Sequence, residues 1–134
     1  MQLWVNLVAD KKSMAPEYEG ISGADLPVRD AGGQRIRTVA GKDSPVRLHT
    51  EVDILDVELL ADSSFSREIV AGHSGLVYVL DGAIDLQGER LERRGAAILG
   101  PGAVELSGTA GARVMWLAGR AHGQPIHHRG PFVD

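Results

Sequence analysis

Several residue types are scarce or missing in this chain of 134 residues, and each absence excludes a kind of chemistry. There is no cysteine, which excludes disulfides, thiol catalysis and cysteine metal sites and is typical of a reducing compartment. Aromatic residues make up only 4%, and the net charge is -4, so neither a base-stacking platform nor a basic nucleic-acid surface is expected. No apolar run approaches membrane-spanning length, and no signal peptide follows Met1. We therefore expect a cytoplasmic protein that contacts neither nucleic acid nor a membrane directly.

What the chain does have is short alternating segments separated by glycine. Seventeen glycines and no long amphipathic stripe favour one all-β domain over residues 1–134, a barrel or sandwich. Residues 10–33 are polar and rich in Gly and Pro, so we expect an irregular wrapping segment with one short helical turn. Asp81-Gly82 predicts a tight hairpin after which Ile84 and Leu86 return. The periodicity predicts strands at Leu3–Leu7, Arg35–Ala40, Asp53–Leu60, Leu76–Leu80, Ala96–Leu99, Val104–Leu106 and Val114–Leu117.

Two stretches, Asp62–Gly82 and Gly95–Leu106, resemble the two halves of a cupin barrel signature. A cupin metal site needs His-x-His, then three or four residues, then Glu, with a glycine seven positions past that Glu. A further histidine in the second half completes it. Such a set of imidazoles and one carboxylate makes an open, redox-capable site. The resemblance implies a single cupin-type β-barrel, also described as a double-stranded β-helix or jelly roll.

None of the metal-ligand positions of that signature holds a histidine, and Glu68 is the one polar residue among them. Counting back from Gly82 places the Glu position at Gly75. The paired histidines would fall at Glu68 and Val70 or, with the shorter spacing, at Ile69 and Ala71. The fourth ligand position is Leu106. We therefore predict no metal site, no cofactor and no catalytic residue in this chain.

Specific motifs at both ends and in the middle of the chain resemble the C-terminal cupin lobe of pirins. The resemblance extends over essentially the whole chain, and its two end motifs are the most specific part. The matching segments are Gln2–Leu7, Lys12–Tyr18, Leu55–Leu59, Gly72-His73, Val77–Gly82, Ile98–Gly102, Leu117–Gly119 and Gly130–Val133.

The resemblance implies a two-barrel family in which the N-terminal barrel carries the iron ligands and a quercetin-dioxygenase-like activity. This chain would then correspond to the second barrel, and no functional residue of the family maps onto it. We accordingly expect a non-catalytic, metal-free structural or interaction module. The alternatives are a part of an iron-dependent quercetin 2,3-dioxygenase and a small-molecule-binding cupin.

Individual polar residues mostly favour ordinary structural roles. His127 and His128 are adjacent, so on a strand they would point to opposite faces and could not easily share a metal ion. His73 is interpreted as a turn residue bonded to backbone. Glu68 could reach a small molecule at the barrel mouth, but a solvated strand end is favoured. The mixed-charge run Glu89–Arg94 is expected to be a solvated face.

The second barrel of a two-barrel protein has a face that the first barrel covers. Exposure of such an apolar face favours self-association, and a twofold dimer lets one patch cover its own copy. We expect a homodimer, with a metal-bearing cupin lobe as the alternative partner. The predicted strand Leu3–Val8 is the expected participant, with Trp4 as an anchor and Trp116 as a core or interface residue.

Overall fold

The computed structural model describes residues 1–130 and 132–133, with side chains through residue 127. It confirms the prediction of an almost entirely β protein, and its described residues contain no helix long and apolar enough to cross a membrane. The elements are a 3-10 helix at Ala9–Lys11 and strands β1 Val28–Ala31, β2 Gln34–Ala40, β3 Val52–Leu59, β4 Ser63–Ile69, β5 His73–Leu86, β6 Glu89–Glu92, β7 Ala96–Leu99, β8 Gly102–Gly108, β9 Ala112–Arg120, β10 His128–Arg129 and β11 Phe132–Val133.

Two antiparallel sheets share the long strand β5 and pack face to face. The larger sheet has the order β1-β2-β3-β9-β5-β7, and the smaller has the order β6-β5-β8-β4. Alternate residues point into the space between the sheets, where Trp116 on β9 meets Phe65 on β4 edge-to-face with ring centroids 5.5 Å apart. This inward layer is the main hydrophobic core.

The predicted hairpin at Asp81-Gly82 is wrong, because β5 continues through these residues. The register against β9 shifts between Val79 and Asp81, and Gly82 has a φ of +72°. A bulge with a left-handed glycine bends the strand so that it passes from the larger sheet into the smaller one. The hairpin instead lies at Gln87-Gly88, where both φ values are positive (52° and 90°) as in a type I′ turn.

The N-terminal prediction also needs correction, since Leu3–Leu7 forms no strand. Val5 instead packs on the outer face of the larger sheet, against a small cluster containing Ala40, Ile54 and Met115. Two hydrogen bonds hold this segment: the Thr50 hydroxyl donates to the Asn6 carbonyl (2.6 Å), and the Ala9 N–H donates to Gln124 Oε1 (2.9 Å). The apolar alternation therefore reflects packing on a sheet face rather than pairing at a sheet edge.

Within the predicted wrapping segment 10–33, the irregular part is shorter than expected. The expected helical turn is present, as the 3-10 helix that ends at Lys11. Val28–Ala31 pairs with β2 through a two-residue turn at Gly32-Gly33, whose φ values are +57° and +78°. The sequence analysis assigned both glycines to a loop. In the structure they form the turn of a tight hairpin, because glycine readily adopts the positive φ that such a turn needs at both positions.

Asp56 is the most buried charged side chain on the outer face of the larger sheet, with 8% of its side chain exposed. It accepts hydrogen bonds from Arg113 Nε (2.8 Å) and Nη2 (2.7 Å) and from Arg37 Nη1 (3.0 Å). The hydrogen bond from Arg113 is the largest cause that lowers the pKa of Asp56 below its ordinary value of 3.8, and burial acts in the opposite direction. These interactions join β2, β3 and β9 across the sheet.

Candidate functional site

The positions where a cupin would carry metal ligands are packed into the core. Ile69 and Leu106 are buried, and Leu106 lies opposite Phe65 in the β4–β8 pairing. Gly75 is buried as well, and a Cβ added there would lie 2.6 Å from Ile69 Cδ1 and 3.1 Å from the Leu117 carbonyl oxygen. The room that a glutamate at Gly75 would need is therefore filled by Ile69.

The direction of the β4 side chains decides between the two possible histidine spacings. Phe65 and Ile69 point inward, whereas Glu68 and Val70 are exposed. The shorter spacing, which uses Ile69, is thus the one that faces the barrel interior, although its second position, Ala71, is exposed. The interpretation of Glu68 as a solvated residue near a strand end agrees with its exposure.

The residues at these positions do not fit a metal ion. Aliphatic side chains and a glycine offer no nitrogen, sulfur or carboxylate oxygen, which are the atoms that bind transition metals in proteins. Across the described part of the chain, no group of three or more His, Asp or Glu side chains could hold a metal ion. The inward-facing residues at the signature positions therefore do not supply the donor set of a cupin metal centre.

A cavity of about 600 Å³, which we call the mouth cavity, lies at one end of the barrel and has both charged and apolar lining residues. It is lined by the loop 41–50 between β2 and β3 and by Glu51, Val52, Asp53, Arg67, Glu68, Ile69, Val70, His73 and Ala118. Arg67 Nη2 lies 2.7 Å from Asp53 Oδ2, and this ion pair connects the smaller sheet to the larger one. Gly41, with a φ of +119°, leaves no room for a side chain beside the Asp53 carboxylate.

Sequence reasoning missed Arg67 and Asp53. Their signal was their position two residues from inward-facing side chains, because residues two apart on a strand share a face. Arg67 lies between Phe65 and Ile69 in this way, and Asp53 precedes Leu55 by two residues. A charge on the inward face of a strand needs either a partner or water, so it marks the place where a filled core gives way to a hydrated opening. Neither residue belongs to the metal signature, which is why a search for ligands passed over both.

The histidines lie in different places. The His73 N–H donates to the Val70 carbonyl (3.1 Å), as expected for a turn, but its ring also borders the mouth cavity, with Nε2 4.0 Å from Glu51 Oε1. His49 is exposed near Glu17, and His127 is exposed. The side chain of His128 lies outside the described residues, so the prediction that the pair does not share a metal stays a prediction.

The two tryptophans also differ in environment. Trp116 is fully buried in the core, as one of the two sequence interpretations held. Trp4 is 82% exposed and is no core residue. An interface role therefore stays open for Trp4 alone.

These features define a cupin fold, and a solved structure bears this out. A crystal structure of quercetin 2,3-dioxygenase from Acinetobacter baumannii superposes with a TM-score of 0.89 at 28% identity, over 97% of this chain and 48% of that one. The family model for the pirin C-terminal cupin domain matches residues 54–134. The chain belongs to the pirin C-terminal cupin domain family.

Two relatives are also matched over about half of their own length. A Pseudomonas aeruginosa protein whose name proposes a quercetin 2,3-dioxygenase is 34% identical over 98% of this chain and 51% of its own length. Pirin-1 of Arabidopsis thaliana is 26% identical over 99% of this chain and 50% of its own length. The chain spans about half the length of the curated relatives it matches, so each relative has a further portion of similar size that this chain does not match.

Proposed function

We propose that this chain is a non-catalytic, metal-free cupin lobe that acts as a structural and interaction module. One observation carries the proposal: at the ligand positions, Ile69, Gly75 and Leu106 pack against the core instead of presenting donor atoms. A lobe without donor atoms in its barrel has nothing with which to bind and activate a metal there.

The wider assembly proposed for this lobe is a pirin-like dioxygenase. The support is the similarity to the Acinetobacter baumannii quercetin 2,3-dioxygenase, of which this chain matches 48%. In that assembly the chemistry would belong to the half that this chain does not match, and this lobe would supply a packing surface.

Elemental analysis of untagged protein, combined with a quercetin turnover assay, tests the proposal. We expect less than stoichiometric iron, and turnover at the level of buffer, because the barrel offers no metal ligands. A His127→Ala variant is the control that identifies incidental metal binding at the surface. One tightly held iron per chain in this variant, or turnover proportional to protein, would contradict the proposal.

The surface proposed for interaction lies at the N-terminal segment. Met1 and Leu60 are each 69% exposed and border a cleft of about 990 Å³ on the outer side of the larger sheet. Leu3 and Leu80 also line this cleft, and the exposed Trp4 follows Leu3 directly. Large apolar side chains grouped on a surface in this way mark an interaction site.

The proposed occupant of this cleft is a second copy of the chain. The cleft has both apolar and charged lining residues, and the exposed Trp4 follows the lining residue Leu3 in the chain. Under twofold symmetry each copy can place its Trp4 in the cleft of the other. In this proposed dimer, the Trp4 side chain alone enters the partner's cleft. Exchange of a strand between the two copies is not part of the proposal, since Leu3–Val8 forms no strand.

Sedimentation velocity at micromolar concentrations tests this partner. We expect a dimer for the natural sequence and a shift towards the 14.3 kDa monomer for Trp4→Ala. Tyr18→Ala is the matched control, since Tyr18 is 97% exposed but does not line the cleft. A natural chain that is monomeric across the whole concentration range would contradict the proposed homodimer.

A further inference from the structure

The mouth cavity has the size of a small-molecule site. Its volume of about 600 Å³ lies within the range of roughly 300–1,000 Å³ that is typical of ligand pockets. Ile69, Val52 and Ala118 contribute apolar surface, and the loop 41–50 forms one wall. The barrel interior is thus filled with apolar side chains on one side of Ile69, Val52 and Ala118 and open on the other side, where the mouth cavity lies.

The charges around the mouth cavity are only partly paired. Arg67 and Asp53 neutralise each other at 2.7 Å. Lys42 and Arg47 on the loop, and Glu68 on β4, have no ion-pair partner among the residues that the structure describes. Exposed charges are usually satisfied by water, but charges that line a concave site can also be satisfied by a ligand, because the protein walls strengthen their field.

We propose that the mouth cavity binds a small organic acid that also carries hydroxyl or ammonium donors. Arg47 and Lys42 receive the carboxylate of this ligand, since a guanidinium and an ammonium make strong charge-assisted hydrogen bonds with it. Glu68 and Glu51 accept hydrogen bonds from the donors at the other end of the molecule. The Arg67–Asp53 pair lines the same cavity and joins β4 to β3.

Other ligand classes fit the lining less well. A divalent cation would need several free carboxylates, but Asp53 is committed to Arg67 and three cationic side chains line the same cavity. A flat apolar molecule would leave Arg47, Lys42 and Glu68 without polar partners once it displaced their water. A ligand with an anionic end and a donor-rich end satisfies both sets of charges.

Amide NMR titration of the full chain with three six-carbon probes tests the proposal. Gluconate has a carboxylate and hydroxyls, sorbitol has only the hydroxyls, and hexanoate has only the carboxylate. We expect gluconate to cause saturable shifts at residues 41–53 and 67–73, hexanoate to bind more weakly, and sorbitol to cause no saturable shift. No saturable shift with gluconate, or an equal response to sorbitol, would overturn the proposal and leave the cavity as a solvated opening.

A pair of arginine variants then locates the interaction. Arg47→Gln should weaken gluconate binding roughly tenfold, the size expected when a hydrogen bond to a charged group is lost. Arg29→Gln is the matched control, because Arg29 is exposed on β1 and does not line the mouth cavity. Equal gluconate affinity for Arg47→Gln and the natural chain would overturn the proposal. The mouth cavity shares no lining residue with the cleft proposed for the homodimer, so the outcome of the titration and that of the sedimentation experiment can be told apart.

Discussion

The inner and outer faces of the larger sheet are built from the same strands but hold together in different ways. On β9, Val114 and Trp116 point inward and are fully buried, whereas Met115 belongs to a small outer cluster and Arg113 bonds to Asp56. The inner face is stabilised by apolar packing against the smaller sheet. The outer face combines a thin apolar layer with an ionic cluster and carries the exposed Trp4 at its edge.

This difference separates the parts of the chain that fix the fold from the parts that are available for function. The inner face packs against the smaller sheet, and the cupin ligand positions Ile69, Gly75 and Leu106 lie in this same core, so changes there should cost stability and nothing else. The outer face and the mouth cavity keep exposed groups, so changes to those groups should affect association or binding. The buried Asp56 on the outer face should still contribute to stability, but less than the core does. Unfolding free energies of variants in the core and on the outer face test this difference.

The largest loss is expected from Trp116→Ala. Removing a fully buried indole that contacts Phe65 leaves a large cavity, and such changes typically cost about 3–5 kcal/mol of unfolding free energy. Urea denaturation followed by circular dichroism measures the loss. Trp4→Ala removes the same side chain from an exposed site and, at protein concentrations below the dimerisation range, should change stability by no more than about 0.5 kcal/mol. Similar losses in the two variants would contradict the comparison between the two faces.

A smaller loss, which depends on pH, is expected from Asp56→Asn. At neutral pH the variant loses charge-assisted hydrogen bonds with Arg113 and Arg37, and we expect a cost of about 1.5–3 kcal/mol. The folded-state pKa of Asp56 is lowered, so its stabilisation is present above the ordinary value of 3.8 and is lost as the pH falls through the folded-state pKa.

Unfolding free energies measured from pH 7 down to about pH 3 check this prediction. The difference between the natural chain and Asp56→Asn should shrink towards the acid end of the range. Asp30→Asn on the exposed strand β1 is the control, and its difference should stay near zero throughout. A gap that stays constant or widens on acidification would show that the carboxylate is not the stabilising group.

The smallest of the three effects is expected from Gly75→Ala, at about 1–3 kcal/mol. The new methyl group would press on Ile69 Cδ1, and Ile69→Val removes that atom. The double variant should therefore lose less stability than the sum of the single variants, with a coupling of at least about 0.5 kcal/mol. Gly20→Ala, which has open space around it, is the control. Strict additivity would mean that Ile69 does not fill the space of the former ligand.

Most strands could be predicted from the sequence because their alternation is local. In β3, Leu55, Val57 and Leu59 face inward as the pattern indicates. Asp81-Gly82 was misjudged because a hairpin and a bulge both favour a glycine with positive φ. The choice between them depends on pairing with β9, which is distant in the sequence. The hairpin at Gln87-Gly88 gives a weaker signal, since glutamine is not typical of such turns.

Little of the candidate site could be predicted from the sequence. The spacing shows which residues stand at the signature positions, but the filling of the space beside Gly75 by Ile69 depends on which way β4 faces, and two spacings were possible. The mouth cavity brings together residues from the loop 41–50, from β3 and from β4, and no sequence pattern links these segments. Their meeting follows from how the two sheets close on each other.

Strand β5 has a further consequence for how the chain folds. It pairs with β7 and β9 in one sheet and with β6 and β8 in the other, so neither sheet can be completed without it. Its partners come later in the chain, and its longest pairing joins His73 to Arg120. Such pairings raise the contact order, which slows folding. Because one strand belongs to both sheets, the two sheets are expected to form and melt in a single cooperative step.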